Sequence, residues 1–398
     1  MQQKLNSTKK RIESVDILRG IVMVIMALDH TRDFFHVTAN TSDPLTIPSV
    51  SPILFFTRWI THFCAPAFVF LSGVSIYLQS FRKSKKELSS FLIKRGLWLV
   101  IAEVILLSFI FTFNPLYNFI FLEVIWAIGI SMIILGLMIW LPFTAILIIS
   151  FIIVFGHNLL DYYEAGLKSS PGWWYDLIHR PGFYPLWGNH YLGILYPFLP
   201  WAGLMMMGYC FGKLFLKMEG LKRKKILLWL GLAILALFVV IRFINEYGDA
   251  AKWSTQKDAV FSFLSFMNVT KYPPSLLYMC ATIGIGILFL AFFANARNGL
   301  TRFIIVYGRV PFLYYVLHFL LIHLVSSVFY LLRGHTVAEG LKSDQNWILP
   351  KFAVANEGYS LFWVYIIWIG VVLSLYPVCR WFSNYKQQHR EKWWLSYL

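Results

Sequence analysis

Apolar runs of about 20 residues recur from one end of this chain to the other, and each is long enough to cross roughly 30 Å of hydrocarbon. Inside a bilayer every backbone N–H and C=O must find its partner within the protein, which leaves helices or closed barrels. Runs of this length without period-two alternation select helices, so the expected fold is all-α: a polytopic integral membrane protein with about ten transmembrane helices. Composition agrees, since 58% of the 398 residues are hydrophobic and only 14% are charged. Soluble chains sit near 45–50% and about 25%. A single large soluble core is excluded because the runs have no polar face.

The expected spans are about Val15–Phe35, Pro52–Ser80, Phe91–Phe113, Phe119–Trp140, Phe143–Leu160, Tyr191–Phe215, Ile226–Ile244, Pro273–Ala294, Phe303–Leu332 and Tyr359–Phe382. With both termini cytoplasmic, this set puts every dense basic run on one side. Those runs are Lys4, Lys9, Lys10 and Arg11; Arg82, Lys83, Lys85 and Lys86; Lys217–Lys225; Arg297 and Arg302; and Arg380, Lys386, Arg390 and Lys392. The domain reading follows: residues 1–13 form a basic cytoplasmic N-terminus, 14–382 one transmembrane domain, and 383–398 a basic cytoplasmic tail. The formal charge of +16 therefore reports topology and contact with anionic membrane lipid, and no nucleic-acid motif accompanies it. Basic residues lead straight into the first span with no small-residue cleavage site, so no secretory signal is expected. Cys64, Cys210, Cys280 and Cys379 sit inside apolar runs at wide spacing and read as buried hydrophobes.

One run is chemically unlike the rest. Arg11–Asp33 carries Asp16, Arg19, Asp29 and His30 in an apolar helix. Charges at membrane depth cost about 2.5–3.5 kcal/mol each on insertion scales, which makes such residues functional candidates. At about 3.6 residues per turn, Asp16 and Arg19 are neighbours, and His30 returns to within roughly 40° of Asp16. Asp29 points elsewhere, and Asp33 is the carboxylate better placed to reach His30. Histidine titrates near neutral pH without help, which suits a general base. A histidine packed between helices and satisfied by a neighbouring carbonyl is the bland alternative.

Two further spans carry comparable groups. Pro66 cannot donate to the carbonyl of His62, so that carbonyl, beside the imidazole and one turn from Arg58, suits a substrate or an ordered water. An ordinary proline kink explains the same residues. Tyr314 lies one turn before His318, able to bond it or share its cavity, and His323 points away, so the two histidines do not form a helical metal site. No HExxH spacing occurs, and no metal is expected. The outer segment Asp161–His190, rich in Trp and Tyr, reads as an interfacial aromatic belt before it reads as a sugar-stacking surface.

The order of motifs along the chain resembles a known family. Arg11, Ser14, Asp16, Arg19 and Gly20 fill R-x-x-S-x-D-x-x-R-G, and LDHTRDFF, FFTRWITHFCAPAFVFLSG, YPFLPWAGLMMMGY and NVTKYPPSLLY follow. These strings are similar to those of the transmembrane acyltransferases, within them the bacterial relatives of heparan-alpha-glucosaminide N-acetyltransferase (the domain-of-unknown-function 1624 group), and they extend from residue 11 to about 330. The resemblance implies an acyl-CoA-dependent enzyme of a bacterial inner (plasma) membrane. It would move an acyl group, typically acetyl from cytoplasmic acetyl-CoA as co-substrate, onto an amine or hydroxyl of an extracytoplasmic sugar or glycan. The broader family places a histidine fourteen residues after the Asp of its motif, where His30 stands relative to Asp16; the animal enzyme keeps its essential histidine in the following outer loop, where His36 is nearest. The catalytic candidates are thus His30, Asp29, Asp16, His62 and His36. Those for the acyl-CoA are Arg19, Arg11, His318 and Tyr314, with cationic side chains suited to CoA phosphates. Direct transfer and an acyl-histidine intermediate both stay open, as does a homo-oligomer. The competing expectation is a secondary transporter for a sugar or lipid-linked substrate, which intramembrane charges would also fit; the lack of an internal repeat speaks against it.

Overall fold

The computed structural model describes residues 12–39, 41–47, 49–293, 296, 298–342, 350–389 and 391–396. Arg11, the other N-terminal basic residues, Arg297 and Arg390 lie outside the described residues. The chain is mainly helical. α1 is Glu13–Phe35; α2 (Pro52–Ile60) passes through a 3₁₀ turn at Thr61–Phe63 into α3 (Cys64–Gln79). α4 (Lys85–Ile101) continues through a π-helical turn, Ala102–Leu107, into α5 (Ser108–Thr112). α6 (Val124–Met138), α7 (Phe143–Gly156), α8 (Leu159–Ala165), α9 (Trp173–Ile178), α10 (Phe198–Phe211), α11 (Lys213–Lys217) and α12 (Gly220–Ile244) follow. The rest is α13 (Ala259–Met267), α14 (Leu276–Phe292), α15 (Gly299–Arg309), α16 (Pro311–Leu332), α17 (Val337–Lys342) and α18 (Leu361–Gln388).

Among the described residues, 7 helical stretches are long and apolar enough to cross a membrane. Three of the expected spans differ from these, for physical reasons. α1 has 23 residues but carries Asp16, Arg19, Asp29, Arg32 and Asp33. α6 and α14 are apolar but have 15 and 17 residues. The expected span at Phe119–Trp140 begins instead as a strand, β1 (Phe119–Leu122), and the one at Tyr191–Phe215 begins as β3 (Tyr191–Ile194). These pair in parallel, Phe119 opposite Tyr191, and β2 (Gly182–Pro185) adds antiparallel to β3, giving the order β1-β3-β2. The expected span Phe303–Leu332 is two helices, broken at Val310-Pro311, because proline lacks the N–H to continue α15 yet is well suited to start α16.

α1 is central, touching α3, α14, α15, α16 and α18. Its approach to α15 is backbone on backbone: a Cβ on Gly20 would strike the Ile304 carbonyl, and one on Gly308 the Asp16 carbonyl. Small residues at such crossings let helices pack closely where lipid offers no hydrophobic drive. On the opposite side the Trp368 indole donates to the Val24 carbonyl at 2.8 Å. α1 is therefore walled in along its length except where a cavity opens beside its last turns.

Candidate functional site

That cavity, about 130 Å³, runs along α1 from Met23 to His30. α3 supplies Cys64, Ala65, Phe68 and Ser72; α4 supplies Arg95 and Leu99; α6 supplies Val124, Ile125, Ile128 and Met132; α16 supplies Pro311, Phe312 and Tyr315. Chain direction sorts the wall into two ends. Arg95, Ser72 and Met132 lie toward the Arg19 end of α1, while Asp29, His30, Thr61, Glu123, Tyr196 and Lys271 lie toward the His36 end. The middle is lined by methionine and aliphatic side chains, as in a slot for an apolar chain or a thioester.

At the His36 end the carboxylate of Asp29 has both oxygens occupied. Oδ1 accepts from Arg32 at 3.1 Å, and Oδ2 accepts from Arg58 of α2. Arg32 also reaches Asp33 at 2.6 Å. Asp29 thereby ties α1 to α2. His30 is different. Its Nδ1 is 4.0 Å from Asp33 Oδ2, too long for a hydrogen bond, and among the described residues no group bonds its ring. The ring packs on Phe319 at 3.9 Å and beside His318 at 5.3 Å between centroids. An imidazole held by rings, with its nitrogens unoccupied and one face on a cavity, is equipped to accept a proton from a bound group.

The opposite wall carries Glu123, set between β1 and the first turn of α6. Behind it, in the π-helical turn, Glu103 is buried, and its Oε2 accepts the Trp126 N–H at 3.0 Å, a carboxylate at a helix N-terminus. Both glutamates line a smaller void of about 10 Å³ with Tyr315 and Phe319, and Glu123 faces the main cavity as well. Lys271 closes the end, its ammonium over the rings of Tyr272 at 5.0 Å and Tyr196 at 5.9 Å.

The remaining candidates lie elsewhere. Asp16 is buried and paired with Arg19 at 3.7 Å; Arg19 donates to the Leu71 carbonyl at 2.9 Å and to Ser75, which binds α1 to α3. The carbonyl of His62 is indeed free of its helical partner, but it is the Tyr278 hydroxyl that bonds it, at 2.9 Å, and the imidazole is sealed against Tyr278 away from the cavity wall. His318 turns Nδ1 to the Tyr314 carbonyl at 2.8 Å and stacks on the Tyr314 ring. Both are fully buried behind His30, and neither lines the cavity. His36, just past the end of α1, faces Thr38 Oγ1 at 3.0 Å; burial, with the Arg32 charge, holds its pKa below the usual value. One trio, Asp161, Glu164 and His179, has ligand atoms within 4.8 Å of one another, in the segment around α8 and α9 far along the chain from the cavity residues. There the His179 ring bonds Glu164 at 2.7 Å and His157 at 3.0 Å, and Asp161 accepts from Asn158 at 2.7 Å.

Sequence reasoning missed Arg95, Glu123, Lys271, Tyr196 and Tyr315 as wall residues. Glu123 did carry a signal, a carboxylate beside an apolar run, and Lys271 stands within the shared string NVTKYPPSLLY.

No curated protein matches the chain. A family model described as "Heparan-alpha-glucosaminide N-acetyltransferase, catalytic" matches residues 11–245, more than half of the 398. The match takes in α1, Glu123 and most of the cavity wall, though Lys271 and the α16 residues lie beyond it. With its apolar helices and this match, the chain belongs to the heparan-alpha-glucosaminide N-acetyltransferase catalytic-domain family of glycan-modifying transmembrane acetyltransferases.

Proposed function

We propose that this protein transfers an acyl group, acetyl in the first instance, from acyl-CoA to an amine or hydroxyl of a sugar or glycan on the far side of a bacterial inner membrane, with His30 as the general base. The observation that carries this reading is the cavity along α1, with the unbonded imidazole of His30 at one end and Arg95 toward the other. Its support from the family match is the acetyltransferase chemistry itself.

In this scheme the donor enters from the Arg19 end and lays its thioester along the apolar wall. The acceptor meets it at the His36 end. His30 takes the proton from the attacking nitrogen or oxygen, which bonds to the thioester carbon. The C–S bond then breaks, and the CoA thiolate leaves and is protonated. Asp29, fixed by Arg32 and Arg58, sets the rotation of α1 that aims the neighbouring His30 at the cavity.

Purified protein in detergent, supplied with radiolabelled acetyl-CoA and a panel of glucosamine-bearing acceptors, should form labelled acylated sugar. Absence of transfer together with absence of CoA binding at micromolar concentration would sink the reading. Substrate flux in proteoliposomes without any acyl donor would point to a carrier instead.

A further inference from the structure

Attack on a thioester pushes a full negative charge onto its carbonyl oxygen, and a water-poor cavity needs a fixed positive group to meet it. Four candidates surround the cavity, counting the two guanidinium groups on Asp29 as one. Arg32 and Arg58 are held by Asp29. The N-terminus of α6 turns its Trp126 N–H to Glu103. Arg95 lies toward the opposite end of the cavity from His30. Lys271 is the fourth, and it lines the same end as His30.

We propose that Lys271 is a catalytic residue of the acyl transfer, its ammonium stabilising the oxyanion formed when the acceptor attacks the thioester. This rests on the acyl-transfer reading above. Among the described residues no carboxylate forms an ion pair with Lys271; its charge is held instead by the faces of Tyr272 and Tyr196, which attract a cation without neutralising it. The segment bearing it is rigid. Thr270 donates its N–H and its hydroxyl to Asp249 at 2.9 and 2.7 Å, and Ser275 donates to the same carboxylate at 2.7 Å. Arg242, buried in α12, donates to the carbonyls of Ala251, Ser265, Phe266 and Asn268 and so fixes the chain on both sides of α13. A preorganised cation costs little reorganisation when the charge appears, which is the condition for large catalytic effect.

The step balances on groups already named: the acceptor's proton goes to His30, the carbonyl π electrons move onto oxygen facing Lys271, and they return as the C–S bond breaks and thiolate departs. The test compares wild type with Lys271→Met and Lys271→Arg in detergent, reading kcat, both KM values, CoA binding and thermal stability. Lys271→Met should lower kcat by about 10²–10³-fold, with both KM values within about threefold, and Lys271→Arg should restore part of it. A Met variant with kcat near wild type overturns the proposal. So does a higher acceptor KM at unchanged kcat, which would make Lys271 an anchor. Equal loss of kcat in the Met and Arg variants together with lost thermal stability also overturns it, as a structural role. If the Met variant does not fold, Lys271→Gln is read by the same criteria. A wild type without transfer overturns this proposal along with the function reading; an active wild type with an unaffected variant overturns this one alone.

Discussion

α1 carries two clusters of charge, one near each end, and they have different fates. Near its start, Asp16 and Arg19 close on each other while Arg19 also bonds α3 and the Asp16 carbonyl meets Gly308 of α15. Near its end, Asp29 is gripped by Arg32 and Arg58, but the residue beside it, His30, is left unbonded at the edge of a cavity. The composition of the two clusters is almost the same. What separates them is the histidine that pairing leaves over, together with space next to it. In an apolar helix a satisfied ion pair is a helix–helix joint, and the unsatisfied neighbour is the group with chemistry to offer.

His30→Ala tests that division most severely. It should lower acyl transfer by about 10²–10⁴-fold, the usual worth of a general base, while the thermal transition in detergent stays close to wild type. Near-normal turnover in His30→Ala, with His36→Ala or His62→Ala inactive, would move the base elsewhere. Asp29→Ala should act on stability instead. It leaves Arg58 without its carboxylate and Arg32 with Asp33 alone, and should cost about 3–5 kcal/mol, read as a lowered unfolding transition, with turnover per folded molecule falling much less than in His30→Ala. If Asp29→Ala stays folded yet loses turnover as completely as His30→Ala, the two ends of α1 do not divide as described. Arg19→Ala, which takes the ion-pair partner at 3.7 Å from the buried Asp16, should cost about 1–3 kcal/mol. A several-fold rise in the Kd for acetyl-CoA in that variant would show that the Arg19 end binds the donor as well as joining helices.

Much of this was legible in the sequence because one periodicity governs it. The helical segments, the special status of α1 and the orphaned carbonyl of His62 all follow from apolar length, charge placement and Pro66. The strands were hidden for the same reason: FIFL and YLGI are apolar, abut apolar helices, and differ from span residues only in the partners they pair with. Val310-Pro311 within a long apolar run gave a visible break that length alone concealed. The site was half legible. His30 stood out locally, but Glu123 and Lys271 become wall residues only when β1 delivers one and the Asp249 network holds the other, contacts between segments far apart in sequence. Tyr314 and His318 looked like a site by spacing and lie buried outside the cavity wall, since helical proximity says nothing about which side of a histidine faces open space.

The smallest expected effect concerns His36, the competitor for the role of base. It sits one residue beyond α1, buried, with Nδ1 toward Thr38. Burial and the positive charge of Arg32 both disfavour its protonated form, so its folded pKa lies below its unfolded value. A base shifted this way favours folding fully when the pH is above its unfolded pKa, near 6.5, and the benefit is lost as pH falls toward the folded value. Wild type should therefore lose somewhat more thermal stability than His36→Asn on moving from about pH 8 to about pH 5, and the two should converge in their pH slopes above neutrality. Transfer at pH 8 should be nearly the same in both. If His36→Asn instead abolishes transfer at pH 8 while leaving stability untouched, the imidazole at the end of α1 is doing what has been assigned to the one within it, and the contrast between unbonded His30 and bonded His36 would carry no catalytic meaning.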